Sequence, residues 1–99
     1  MVRHILLLAP RPETTPEEIA AIRVLIEALP SQVPGLRDAF WGENFAAAER
    51  RENLTHGFSM DFDSREALAA YAPHPAHQPV AARVRAAFER IVVLDIDLS

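Results

Sequence analysis

Residues 2–9, VRHILLLA, form a mostly apolar run closed by the breaker PRP, short enough and branched enough to predict a strand. Thr15 precedes Pro16 and stands three positions before Glu18. These are the marks of a helix start: a capping hydroxyl, a proline in the first turn and a capping-box glutamate. Ile19, Ile22, Ile26 and Leu29 recur at helical spacing, so a helix runs from about Pro16 to Leu29, and PSQVPG ends it. LRDAFWGEN, 36–44, reads as a second strand. FAAAERRE, 45–52, reads as a connection with room for a short helical turn, its ERRE a solvated loop. LTHGFSMDF, 54–62, alternates: Leu54, His56, Phe58, Met60 and Phe62 share one face, and Thr55, Gly57, Ser59 and Asp61 share the other. Ser64 can cap a helix carrying Leu68 and Tyr71. After a proline-rich break, Val80, Val84, Ala87, Phe88 and Ile91 mark a further helix, and VVLDIDL, 92–98, is the last strand.

The order is β-α-β-β-α-β with the second helix broken in two, the α+β, ferredoxin-like arrangement. A short link between the middle strands and right-handed crossovers give a four-stranded antiparallel sheet in the order 4-1-3-2, with the helices on one face. The other face is the question. Leu6 and Leu8 lie with His4, but Ile5, Leu7 and Ala9 on the opposite side are equally apolar, and the second strand carries Phe40 on one side and Trp41 on the other. A sheet open to water on one side should alternate apolar with polar. Leaving Ile5, Leu7, Val93 and an aromatic of the second strand wet would forgo about 1.5–3 kcal/mol per large side chain. The helices are already used, so a second copy of the chain is expected to cover this face: a homodimer with two sheets face to face. Trp41 is expected to pack in that interface and end its strand at Gly42. Thr55, Ser59 and Asp61 make part of the same face polar.

Ninety-nine residues make one domain, 1–99. The net charge is −4, the basic residues are scattered arginines without lysine, and no basic run appears, so neither nucleic acid nor an anionic membrane is an expected partner. The N-terminal apolar run is too short for a signal-peptide core or a membrane span. The chain has no cysteine, which excludes a disulfide frame, a thiol nucleophile and thiolate metal ligands, and fits a reducing cytoplasm. No glycine-rich phosphate cradle, Ser/His/Asp signature or paired-carboxylate motif is present.

Candidate chemistry gathers in YAPHPAHQP, 71–79, which holds the sole tyrosine and two of the four histidines. In one unbroken helix Tyr71 and His77 would stand about 240° apart around the axis and could not meet. Pro73 and Pro75 forbid interior helical hydrogen bonds, so the chain breaks between them and both side chains can face one cavity. The plain alternative is an inter-helix corner without further role. His74 and His77 have the i, i+3 spacing of some zinc ligands, but no Asp, Glu or Cys joins them and prolines disturb the register, so no metal is expected; His74 packs the corner or bonds a helix-end carbonyl.

RHI opening the first strand, PG before the second and WG at its end, TH opening the third, then DFDSREALAAY and HPAH resemble, in their order and spacing over nearly the whole chain, the stress-responsive A/B barrel (Dabb) domain family. The resemblance implies a dimeric α+β barrel of ferredoxin-like subunits. It also implies a pocket between helices and sheet. The family's best-understood enzyme, a plant olivetolic acid cyclase, closes a linear polyketide thioester by aldol condensation with no metal or organic cofactor. Carried onto this chain, the resemblance makes His77 the general base and Tyr71 the group that holds the substrate carbonyl, with His4 and His56 in support. A neutral histidine can take a proton from carbon beside a carbonyl, and exposed amides at a helix start disfavour a cation there. Pro79, two residues on, raises the question whether the helix begins early enough to hold His77. Ile22, Ile26, Phe58, Leu68, Val84 and Phe88 are core residues first and pocket walls second. Two readings stay open: a cofactor-free lyase or cyclase acting on a small carbonyl or polyketide-like compound, and a non-catalytic, stress-related dimer that binds a small apolar ligand.

Overall fold

A computed structural model describes residues 1–98. Strand β1, Val2–Pro10, is followed by helix α1, Pro16–Ala28, and a 3-10 turn, Leu29–Ser31. Strand β2, Leu36–Glu43, and strand β3, His56–Phe62, are joined through the short helix α2, Ala48–Arg51. Helices α3, Arg65–Tyr71, and α4, His77–Ala87, precede strand β4, Phe88–Asp97. The sheet is antiparallel in the order β2-β3-β1-β4. No helix among the described residues is long and apolar enough to cross a membrane.

Local chemistry accounts for most boundaries. Thr15 accepts the Glu18 amide at 3.2 Å, and Ser64 accepts the Ala67 amide at 3.1 Å, each satisfying an orphan first-turn donor. The capping box at Thr15 is only half made. The Glu18 carboxylate turns instead to Arg83, which donates at 3.2 and 2.6 Å, and so ties α1 to α4. Gly35 sits at φ 81°, and a Cβ there would come within 2.7 Å of the Ala67 Cβ, so the turn into β2 requires glycine for both backbone and space.

The end of α4 differs from expectation. Phe88 and Ile91 continue its apolar period, yet both belong to β4. Thr14 donates to the Ala87 carbonyl at 2.6 Å, and Arg11 donates to the Ala86 and Arg85 carbonyls at 3.0 and 3.2 Å, which satisfies the last turn and stops the helix. Phe88 then turns extended and stays buried. The period persists because the start of β4 faces the same core.

That core lies between the sheet and the helices, around Leu8, Ile22, Ile26, Leu29, Met60, Phe62 and Phe88. On the opposite face the register sets Ile5 beside Ser59 and Leu94, and Leu7 beside Gly57 and Val92. Phe40 is 58% exposed there, Leu94 52% and Leu7 38%. Arg3 grips Asp61 on this face at 2.7 and 3.0 Å, holding the carboxyl below the usual carboxylate range. Two expectations about this face are corrected. Val93 pairs with Leu6 and therefore points to the helix side, leaving Val92 and Leu94 outward; IVVL is apolar at both parities, so only the register decides. Trp41 pairs with Phe58 on the helix side and stacks on it, ring centroids 5.9 Å apart, so the outward aromatic of β2 is Phe40.

Candidate active site

The proline-rich break brings Tyr71 and His77 together. Tyr71 closes α3, Ala72–Ala76 turn the corner, and α4 begins at His77 itself. Pro79 falls in the first turn of α4, where amides have no helical partner, so its missing N–H costs nothing and His77 is held on the helix. The two rings stand 4.1 Å apart between centroids, inclined at 44°. His74 fixes the corner by accepting the Ala76 amide on its Nδ1 at 3.0 Å rather than by bonding a carbonyl.

The hydrogen bonds assign chemical roles. His77 Nδ1 lies 2.9 Å from the Ala72 carbonyl oxygen. A carbonyl carries no proton, so Nδ1 donates, and in the neutral ring Nε2 is the bare, basic nitrogen. Tyr71 is buried, which pushes its hydroxyl well above the ordinary tyrosine range and keeps it a neutral donor. Its ring packs on Phe62, centroids 5.2 Å apart. Among the described residues nothing hydrogen-bonds the Tyr71 hydroxyl, and no fully enclosed side-chain oxygen lacks a partner, so this hydroxyl opens onto free space.

That space is a cavity of about 240 Å³ under α4. His4, Tyr71, His77 and Arg85 supply its polar atoms, and Leu6, Phe58, Val80 and Ile91 are among its apolar walls. His4 enters from β1 with its ring 6.4 Å from Tyr71. Its Nδ1 donates to Asp95 of β4 at 2.5 Å, leaving Nε2 as its free ring nitrogen.

Of the other residues singled out from the sequence, Ile26, Phe58 and Val84 line the cavity. Ile22 and Phe88 are sealed in the core, and Leu68 lines a separate groove with Val2, Arg65 and Asp95. His56 is set apart. It pairs with Leu8, whereas His4 pairs with Met60, four strand positions or about 13 Å away. His56 bonds the Thr55 hydroxyl at 2.7 Å and lies against Trp41 in a separate groove beside the start of α1. Asp95 and Arg85 escaped the sequence reading. Asp95 sits in the alternating DID that ends β4, but its meeting with His4 depends on strand register. Arg85 lies on the α4 face that carries Ala81 and Val84. Among the described residues no cluster of three or more His, Asp or Glu is arranged to hold a metal ion.

Together these features define a ferredoxin-like α+β subunit with a small apolar cavity whose polar groups are a phenol, two imidazoles and a guanidinium. Residues 2–98 match the model of the stress responsive A/B barrel domain, and the chain belongs to that family. It is 28% identical over 94 residues to the stress-response A/B barrel domain-containing protein HS1 of Arabidopsis thaliana, covering 95% of this chain and 86% of that one. Olivetolic acid cyclase of Cannabis sativa is 26% identical over 94 residues, covering 95% and 93%. A dimeric ferredoxin-like protein of unknown function from Jannaschia sp. CCS1 superposes with a TM-score of 0.86 at 28% identity, covering 98% of each chain.

Proposed function

We propose that the protein is a cytoplasmic homodimer and a cofactor-independent acid–base enzyme acting on a small carbonyl or polyketide-like compound, in an aldol-type ring closure. The observation that carries the reading is the bond from His77 Nδ1 to the Ala72 carbonyl, because it leaves Nε2 to act as base beside an unpartnered phenol. His77 Nε2 takes a proton from carbon next to a carbonyl, and the C–H electron pair becomes the C=C bond of an enolate. Tyr71 donates a hydrogen bond to the enolate oxygen, as preorganised donors do to developing oxyanions. The enolate carbon then attacks a second carbonyl of the same molecule, forming the C–C bond, and the new alkoxide recovers the proton from the His77 imidazolium. The relation to a cyclase supports this direction.

The dimer reading rests on the open sheet face. Burying Phe40, Leu94 and their neighbours, each about half exposed, contributes on the order of 1 kcal/mol per side chain. A dimeric structural relative supports it. Light scattering should return twice the 11.0 kDa chain mass. His77→Ala should keep that mass and abolish turnover of 1,3-dicarbonyl and polyketide-like probes that the unaltered protein converts. Turnover at the unaltered rate in that variant would remove His77 as the base. Binding of such probes without turnover by the unaltered protein would favour the ligand-binding reading instead.

A further inference from the structure

Arg85 lines the same cavity and takes no part in the proton transfers above. Among the described residues its guanidinium makes no hydrogen bond or ion pair, in a chain whose net charge is −4. Other arginines are engaged: Arg83 grips Glu18, Arg65 bonds Asp97, and Arg90 reaches Glu52. No Asp or Glu lines the cavity, and Asp95, behind His4, is occupied by His4 Nδ1. The cavity therefore offers one cation with no anion of its own.

The helix sets the distance between the two ends. His77 and Arg85 are eight residues apart on α4, about 80° around the axis and about 12 Å along it. Both face the cavity, and a helical side chain leans back toward the N-terminus, so the arginine reaches toward His77. Arg85 is exposed, so its charge stands at the mouth of the cavity while the walls beyond it are apolar. A guanidinium presents a fork of N–H donors that matches a carboxylate. The volume, about 240 Å³, falls below the range of about 300–1,000 Å³ typical of drug-sized ligands, so the occupant is small.

We infer that Arg85 reads an anionic group, and that the substrate is a small oxo acid with two carbonyls, one of them at Tyr71 and His77, and its carboxylate at Arg85. This rests on the carbonyl chemistry proposed for Tyr71 and His77. The test is an NMR titration of the whole protein at low salt and pH 7, following the sole tyrosine and His77, with 5-oxohexanoate and with its methyl ester. The acid should bind about tenfold more tightly than the ester, the gain expected of a charge-assisted hydrogen bond at a partly exposed site. Arg85→Gln, a change at an exposed position, should bring the acid down to the affinity of the ester. Equal affinities in the unaltered protein, or an undiminished acid affinity in Arg85→Gln, would overturn the role of Arg85 while leaving the carbonyl site standing. If neither compound moves the Tyr71 and His77 signals, the carbonyl site falls, and this inference with it.

Discussion

Replacing Tyr71 by Phe removes one oxygen from a ring that is otherwise core. The ring is 4% exposed and packs on Phe62, and phenylalanine keeps that packing. The hydroxyl has no hydrogen-bond partner among the described residues, so its loss breaks nothing in the folded chain. A change within about 0.5 kcal/mol follows. A structural hydroxyl bonded in the core would instead cost about 1–3 kcal/mol, because its partner would be left unpaired. For a domain of this size 1 kcal/mol moves the melting temperature by about 4–8 °C, so the two cases separate clearly in a thermal melt. The same oxygen is the donor assigned to the enolate formed by His77, and losing such a donor typically lowers kcat by about 10²–10³. Tyr71→Phe should therefore melt within about 4 °C of the unaltered protein and lose nearly all turnover. A fall in melting temperature beyond that, with turnover retained, would show that the hydroxyl is structural and would refute the assignment.

Gly35→Ala should destabilise by about 1–3 kcal/mol, read from a denaturant melt. It places a Cβ at a positive φ, and that Cβ meets the Ala67 Cβ at 2.7 Å; an unchanged midpoint would contradict the tight contact of α3 with the turn before β2. Arg3 holds the Asp61 carboxyl below its ordinary value. The stability this supplies is fully present above the unfolded value near pH 4 and is lost as pH falls through the lower folded value. Asp61→Asn should flatten stability between about pH 4 and pH 2, and an acid profile identical to that of the unaltered protein would contradict the linkage. Phe40→Asp should shift the light-scattering mass toward the single chain without altering the far-ultraviolet spectrum, since Phe40 is exposed on the open sheet face; a retained double mass would place the interface elsewhere.

How much of this was legible in the sequence depended on whether a feature is local. Strand order, the capped starts of α1 and α3 and the break at Pro73 and Pro75 all follow from period and from residues with fixed backbone preferences. So does the convergence of Tyr71 and His77, because prolines allow few alternatives to a corner. What escaped depends on partners far along the chain. The end of α4 is set by Arg11 and Thr14 from the β1–α1 loop, so apolar period alone carried the helix too far, through Phe88 and Ile91. The side taken by Val93 and the meeting of His4 with Asp95 follow from a register that an apolar IVVL cannot announce. Glu18 has the capping-box position, but a stronger charged partner, Arg83, comes from another helix. His56, by contrast, could be placed from the sequence: it and His4 each open one of two antiparallel neighbours, which sets them at opposite ends of the sheet.

The proposed chemistry stands on one nitrogen: His77 must carry its proton on Nδ1 and offer Nε2 to the cavity. Histidine labelled with ¹⁵N, observed well above the pH at which the rings lose their charge, distinguishes the two tautomers directly. The structure predicts that His77 shows a protonated Nδ1 and a bare Nε2, with the Nε2 signal moving when a small carbonyl compound is added. A His77 that carries its proton on Nε2 would turn the donor toward Tyr71, remove His77 as the base, and contradict the proposed mechanism.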